Sequence, residues 1–202
     1  MRRSRERVLV AALAELAERG YGGFTIDGVA TRAGVARSTI YRLGHDRPSL
    51  VVAAMETLNV QPTAAPADRP ADPRDQVVAI LTHLAGAMRD SPMSDCLPAL
   101  VDGAERDAGL RRLHHAYTAS RRATLVDALA RLRDTGGARP GLDPDRAAEA
   151  LAGAVFYRRL MTPTRLGPEE VEPLVTSVLG PVVGRGGLSR STRGPARRRD
   201  PP

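Results

Sequence analysis

One short segment restricts the possible folds of this chain more than any other part of it. Residues 25–50 read TIDGVATRAGVARSTIYRLGHDRPSL. Apolar side chains recur at helical spacing up to Gly34, a residue type that commonly ends a helix, and Val35 is the apolar residue of the turn that follows. A second short helix is then predicted from Ala36 to about Leu43. Two short helices joined by a glycine-containing turn are typical of a helix-turn-helix.

The second of these helices has a polar and basic outer face. Ile40 is its inward-facing residue, and the other side chains are of types that contact DNA. Arginine can donate two hydrogen bonds to guanine, while Ser, Thr and Tyr hydroxyls reach bases and phosphates. The outward candidates are Arg37, Ser38, Thr39, Tyr41 and Arg42. The alternative is an ordinary three-helix packing unit with a solvated arginine face, but several features in the right order favour DNA binding.

These residues resemble the DNA-binding domain of the TetR (tetracycline repressor) family. The shared pattern is a Thr, an apolar pair, Ala-Gly-Val and then Thr-x-Tyr in the second helix, and it covers about Arg5 to Met55. The resemblance implies that Thr25 contacts phosphate from the first helix of the pair and that Arg47 contacts phosphate from the start of the next helix. It also implies that the recognition-helix contacts are those of Arg37, Ser38, Thr39, Tyr41 and Arg42.

Two positions depart from the family pattern. Ala36 stands where the family has a Ser that caps the recognition helix, and such a cap contributes on the order of 1 kcal/mol. Gly44 stands where the family has an aromatic residue, so a packing anchor is missing. We therefore predict a helix-turn-helix head that orders fully only on DNA.

Helical periodicity accounts for the rest of the chain, and no stretch alternates like a strand. The first helix is predicted over residues 4–19, and the fourth runs to about Leu58. Further helical patterns lie near residues 75–90, 95–104, 107–134, 143–162 and 168–183. We therefore predict an all-α fold of about nine helices, with an N-terminal three-helix helix-turn-helix head and a C-terminal helical bundle.

Proline and glycine content suggests where the domains divide. Residues 1–58 are predicted to form the DNA-binding head. Residues 59–74 contain four prolines and are predicted to be a connector, because this composition does not sustain a helix. Residues 75–184 form the predicted ligand-binding and dimerisation domain. Residues 185–202 are predicted to be a basic disordered tail.

The net charge of +7 is concentrated at the two ends of the chain. Residues 1–50 carry nine arginines against five acidic residues, whereas residues 51–184 carry fifteen arginines against seventeen acidic residues. Residues 185–202 carry six arginines against one aspartate. Basic ends on a small helical protein indicate a polyanionic partner such as DNA, although RNA or an anionic membrane would also suit the charge alone.

Several other classes of function have little support in the sequence. Cys96 is the sole cysteine, which favours a reducing, cytoplasmic setting, and no targeting segment or membrane span is expected. The four histidines are not spaced as metal ligands, so no metal or cofactor is expected. No nucleophile, general base and acid are spaced for catalysis, and no phosphate-binding glycine loop is present. We therefore do not expect an enzyme.

The last two helical patterns indicate a homodimer. Residues 147–157 are rich in Ala and Gly, which permit close helix approach. An apolar stripe along the last helix exceeds what one monomer's core requires, and it consists of Val171, Leu174, Val175, Val178, Leu179 and Val182. In the family the body dimerises through its last two helices, so we predict an interface at residues 143–162 and 168–183. The alternative is that both helices pack inside the monomer.

The resemblance also implies that the body binds a small molecule. The candidate residues are Leu84, Met88, Leu100, Tyr117, Phe156 and Tyr157. For each of them, a place in the core is the more common role of an apolar residue at helical spacing. The pocket would be aliphatic and edged by arginine, since the chain has two Phe and no Trp.

Taken together, these features predict a sequence-specific transcriptional regulator. The resemblance implies a dimeric repressor that binds an inverted-repeat operator in double-stranded DNA and is released by a small-molecule effector. The alternative is a non-specific nucleic-acid-binding helical protein that depends on its basic ends, and the ratio of operator to random-sequence affinity distinguishes the two.

Overall fold

The computed structural model describes residues 2–58 and 72–181. Within these ranges the regular secondary structure is entirely helical, which confirms the predicted all-α fold. The helices are α1 (Arg2–Gly23), α2 (Ile26–Ala33), α3 (Arg37–Arg42), α4 (Arg47–Leu58), α5 (Pro73–Arg89), α6 (Pro92–Arg106), α7 (Ala108–Asp134), α8 (Pro144–Met161) and α9 (Pro168–Leu179). The predicted tail, and residues 59–71 of the predicted connector, lie outside the described residues.

Helix α1 is the central element of the head. It packs against α2 and α4 of the head and against α6 of the body. Its buried face includes Val8, Ala12 and Leu16, as the apolar spacing predicted. Gly20 has φ +63, so the regular helix breaks there and the next residue, Tyr21, turns inward and is buried.

Four helices of the body begin at a proline, which needs no hydrogen-bond partner for its nitrogen in the first turn of a helix. These residues are Pro73, Pro92, Pro144 and Pro168. Asp72 caps α5 by accepting a hydrogen bond from the Arg74 amide. Helix α5 therefore starts inside the predicted connector and includes its last two residues, Pro73 and Arg74.

Helix α9 packs on α5 and α8. It ends at Leu179 and not at residue 183, because Gly180 adopts a φ of +86 that does not continue a helix. One row of the apolar stripe, Val171, Val175 and Leu179, is fully buried within the monomer. Leu174 and Val178 are partly buried against this core. The monomer's core thus accounts for the inner row of the stripe, and Val182 lies outside the described residues.

Two further findings concern functions that the sequence did not favour. Among the helices of the described ranges, none is long and apolar enough to cross a membrane. Cys96 is fully buried between α6 and α1, and its thiol donates to the Leu13 carbonyl over 3.5 Å. Burial raises the pKa of this thiol to about 11, so the thiol stays protonated and packs as a small apolar residue.

Candidate nucleic-acid interface

The turn between α2 and α3 has the geometry that its sequence predicts. Thr25 caps α2, with its hydroxyl accepting from the Gly28 amide over 2.9 Å. Gly34 adopts the left-handed conformation (φ +60, ψ +44), which glycine reaches without steric cost. The Val35 amide then donates to the Ala30 carbonyl over 3.0 Å. Ile40 is fully buried and fixes the inner side of α3 against the head.

The predicted recognition residues lie on the opposite side of α3. Arg37, Ser38, Tyr41 and Arg42 are exposed, and Thr39 is partly exposed. Thr25 is also exposed, at the start of α2. The structure thus brings five recognition-helix residues together on one short helix, with Thr25 at the end of the helix that packs against it.

Arg37 is held in place by two partners before any DNA is bound. One nitrogen (Nη1) donates to Asp27 over 3.1 Å, while Nε and Nη2 donate to the Tyr41 hydroxyl over 3.2 and 3.0 Å. The guanidinium also lies 5.5 Å from the Tyr41 ring centroid. The Tyr41 hydrogen bond, followed by the charge of Asp27, raises the pKa of Arg37. Sequence patterns do not indicate Asp27 as a partner, because it lies ten residues before Arg37 on another helix.

Helix α3 is short and is capped at its C-terminus only, where the Gly44 amide donates to the Tyr41 carbonyl over 2.9 Å and the His45 amide donates to the Ile40 carbonyl over 3.4 Å. Ala36 occupies the N-cap position and offers no side-chain acceptor. Gly44 follows the helix with φ +83, a conformation that favours glycine over other residues. Along the helix, Arg42 donates to the Thr39 hydroxyl over 3.4 Å. The recognition helix therefore depends on Ile40, on the Arg37 contacts and on the turn at Gly44, and has no side-chain cap at its N-terminus.

Arg47 is placed differently from the other predicted contacts. It is the first residue of α4, and its guanidinium lies 4.1 Å from the centroid of the Tyr21 ring. Its Nη2 donates to the Tyr21 carbonyl, and its Nε is buried with no hydrogen-bond partner in the described part of the chain. Arg47 is partly exposed and lies apart from α3, so a phosphate would have to meet the donors that Tyr21 leaves available.

Ion pairs and backbone contacts that the sequence did not reveal join α1 to the helix-turn-helix. Arg32 of α2 donates to both carboxylate oxygens of Glu18 over 3.0 and 2.5 Å, and this hydrogen bond lowers the pKa of Glu18. Arg7 donates to the carbonyls of Ala33 and Gly34, at the turn itself. These contacts join residues far apart in sequence, so local patterns do not predict them.

A cleft with a volume of about 390 Å³ lies between α4 of the head and α7 of the body. Its walls are mixed, with three aliphatic side chains and with Glu56, Ser120 and Arg121 as polar members. The lining residues are Val52, Glu56, Leu113, Ala116, Tyr117, Ser120 and Arg121. The Arg121 guanidinium lies 5.2 Å from the Tyr117 ring centroid. Of the six predicted ligand residues, Tyr117 alone is among the residues that line this cleft.

The other five predicted ligand residues are not among the residues that line this cleft. Met88 and Leu100 are buried in the hydrophobic core, and Leu84 and Phe156 pack partly buried against it. Tyr157 is 61% exposed on the outer face of α8. Their positions in the monomer match the core and surface roles that apolar residues usually have.

The outer face of α8 carries an apolar strip that the described residues of the monomer leave uncovered. Tyr157 is joined by Met161, which is 71% exposed, and by the half-exposed Leu160. One turn earlier lies Gly153, above which the space for a side chain is open. This face combines small residues with large exposed apolar side chains, as surfaces that pack against another helix do.

Known proteins resemble this chain in both of its parts. A model of tetracyclin repressor-like C-terminal domains matches residues 70–178, and a model of bacterial regulatory proteins of the tetR family matches residues 8–43. A curated relative from Bacillus subtilis (strain 168), the uncharacterized HTH-type transcriptional regulator YdeS, is 25% identical over 171 residues, which are 83% of this chain and 84% of the relative.

Several solved structures have a similar fold over most of this chain. The TetR family transcription regulator SCO0332 is 28% identical, with a TM-score of 0.63 over 88% of this chain and 97% of that chain. AibR, solved in complex with isovaleryl coenzyme A and operator DNA, is 18% identical, with a TM-score of 0.64 over 88% of this chain and 99% of that chain. At that identity, AibR shows a shared fold.

Proposed function

The chain belongs to the TetR family of transcriptional regulators, which bind operator DNA, and on this premise we propose that it is a repressor released from its operator by a small molecule. The observation that carries the proposal is the set of exposed polar and basic side chains on α3, supported from below by the buried Ile40. We propose that it acts by binding alone, without catalysis, and in the cytoplasm, where a bacterial operator lies.

We assign DNA recognition to the exposed side of the head. Arg37, Thr39 and Arg42 would reach the bases of the major groove, because a helix of this size fits the groove and arginine pairs well with guanine. Phosphate contacts are proposed for Thr25, Ser38, Tyr41 and Arg47. In domain terms, the proposed head is residues 1–58, the connector 59–74, the body 75–184 and the basic tail 185–202.

We propose that two chains associate through α8 and α9 to present two heads to an inverted repeat. The exposed apolar strip of α8 supports this arrangement, because Gly153, Tyr157 and Met161 succeed one another at four-residue spacing on one face. A symmetric pair of chains uses the same patch on both copies. The half-sites of the operator would then lie about one DNA turn apart or a multiple of it.

The cleft between α4 and α7 is our proposed effector site. A ligand held between Val52 and Leu113 would change the spacing of the two helices, and α4 begins at Arg47 in the head. Glu56 and Arg121 suit a molecule with an apolar body and an ionised group. AibR, which shares the fold, was solved with isovaleryl coenzyme A, so acyl thioesters and short organic acids are sensible first candidates.

A selection of genomic DNA fragments by the purified chain tests the DNA-binding proposal. We expect the parent to recover an inverted repeat at a fixed physiological salt concentration and the Arg42→Ala variant to lose most of this enrichment. Arg133→Ala is the matched control, because Arg133 is an exposed arginine near the end of α7 in the body, outside the proposed interface. Equal weak recovery of random fragments by all three proteins would contradict the proposal. Addition of candidate effectors to the operator complex then tests release.

A further inference from the structure

We infer that Asp107, a residue of the body, is a positioning residue for Arg47 and acts through Tyr21, so that the corner between α6 and α7 controls a phosphate contact of the head. The inference rests on the proposed DNA contact of Arg47. Three links carry it, and each is a direct contact between side chains or between a side chain and a backbone carbonyl.

The first link joins the body to Tyr21. The Tyr21 hydroxyl donates to Asp107 over 2.6 Å, across 86 residues of sequence. Tyr21 is 4% exposed, and its ring lies so close to α6 that a Cβ added at Gly103 would come within 2.5 Å of it. Burial, followed by the Asp107 hydrogen bond, raises the pKa of Tyr21, so the hydroxyl keeps its proton and remains a donor.

The second link joins Tyr21 to Arg47. The guanidinium stacks on the Tyr21 ring and donates to the Tyr21 carbonyl, so the ring and the backbone of one residue fix both its plane and its direction. A long arginine side chain loses less conformational entropy on binding phosphate when it is held in this way beforehand. The orientation of the Tyr21 ring therefore sets the orientation of Arg47.

The third link joins the same corner to α4 by a separate route. Asp107 caps α7 by accepting from the amides of Gly109 and Leu110 over 2.8 and 3.0 Å. A Cβ added at Gly109 would lie 3.6 Å from the Pro48 ring, in the first turn of α4. One aspartate thus ends α6, starts α7 and holds Tyr21. A change of the angle between α6 and α7 would therefore move the groups that hold Arg47 in position.

Two substitutions separate positioning from capping. Asp107→Asn keeps an oxygen that can cap α7 but replaces the carboxylate that accepts from Tyr21. Tyr21→Phe keeps the ring under Arg47 and removes only the hydroxyl. Asp72→Asn is the matched control, because Asp72 caps α5 by accepting from the Arg74 amide and lies outside the proposed dimer helices.

Operator binding by the full chain is measured as a function of salt. We expect Asp107→Asn and Tyr21→Phe each to weaken operator binding on the order of tenfold. Each should also reduce the slope of log affinity against log salt concentration as Arg47→Ala does, by the equivalent of about one phosphate contact for each Arg47. In the Arg47→Ala background, the same substitutions should change the affinity less than about twofold. Equal losses in both backgrounds, or an unchanged salt dependence, would overturn the inference.

A second measurement keeps this test independent of the operator. The Nε–H proton of Arg47 is buried, so its NMR signal in the free protein should exchange slowly with water. We expect this exchange to speed up in Asp107→Asn and Tyr21→Phe and to stay unchanged in Asp72→Asn. Unchanged exchange in all three variants would overturn the inference, even if the parent bound no operator and the proposed function failed.

Discussion

At the scale of single residues, the DNA-facing surface carries an acidic residue among its cations. Asp27 is exposed, and its carboxylate lies 3.1 Å from the Arg37 guanidinium. The same guanidinium also donates to the Tyr41 hydroxyl. A carboxylate on this surface repels phosphate, yet it also holds the arginine fork in one direction. Its presence is expected to lower affinity for every DNA sequence while increasing discrimination between sequences.

Substitution of Asp27 by Asn should therefore separate affinity from specificity. We expect random-sequence DNA to bind a few times more tightly and the ratio of operator to random affinity to fall, because Arg37 is freed to pair with any phosphate. Fluorescence anisotropy with an operator duplex and a scrambled duplex at one salt concentration measures the ratio. Asp102→Asn, which opens the exposed Asp102–Arg106 pair on α6, is the control. A ratio unchanged from that of the parent would contradict this role of Asp27.

At the scale of secondary-structure elements, α3 is the least supported helix of the head. It has six residues and no side-chain cap at its N-terminus, and the glycine at positive φ closes only its C-terminus. Helices this short are not stable alone in water, so α3 depends on the packing of Ile40 and on the contacts of its exposed face. The prediction that the head orders fully only on DNA follows from these features.

Ala36→Ser should restore a cap to α3. We expect slower amide exchange at residues 37–42 in the free protein, since a Ser cap adds on the order of 1 kcal/mol to the stability of a helix. Operator affinity should rise with it, because less ordering then accompanies binding. Hydrogen exchange followed by NMR, with and without operator, measures both effects. Strong protection of residues 36–44 already present in the parent would count against a head that orders on DNA.

The elements differ in how much of them the sequence could predict. The roles of Thr25, Gly34 and Ile40 can be predicted from the residues next to them in sequence, and these roles set the bounds of α2 and α3. Contacts between residues far apart in sequence do not produce a periodic pattern. Examples are Arg37 with Asp27, 10 residues apart, and Tyr21 with Asp107, 86 residues apart. Which row of α9 faces inward was likewise not predictable, because an apolar stripe indicates burial but not against which partner.

At the scale of the whole molecule, two histidines connect stability with pH. Burial lowers the pKa of His45 and of His114 from the ordinary value of 6.5, and neighbouring positive charge adds to the effect: Arg5 acts on His45, and His115 acts on His114. The Nδ1 atom of His114 is buried and has no hydrogen-bond partner among the described residues. Both side chains are therefore neutral in the folded chain at neutral pH.

The free energy of unfolding should fall as the pH drops below about 6.5. In that range the histidines of the unfolded chain bind protons, whereas those of the folded chain remain neutral. The loss begins at the unfolded pKa and levels off below the folded pKa of each histidine. Urea unfolding at a series of pH values measures it, and the double variant His45→Gln, His114→Gln should show a smaller loss over this range. An equally steep loss in the double variant would assign the pH dependence to other groups.

The proposed dimer depends most on the apolar outer face of α8. Tyr157→Glu puts a charge in the middle of the exposed apolar strip, where burial against a second copy would leave it unpaired. We expect this variant to sediment as a monomer at concentrations where the parent is a dimer, and to lose the inverted-repeat operator while keeping weak affinity for DNA.

The matched control is Val10→Glu, which charges an equally exposed apolar side chain, 68% exposed, on α1 of the head. It should leave the sedimentation of the parent unchanged, because α1 lies outside the proposed interface. Monomeric behaviour of the parent itself, or a Tyr157→Glu dimer as stable as that of the parent, would place the contact between copies elsewhere. Since a single head contacts only one half-site, loss of the dimer should reduce operator affinity far more than random-sequence affinity.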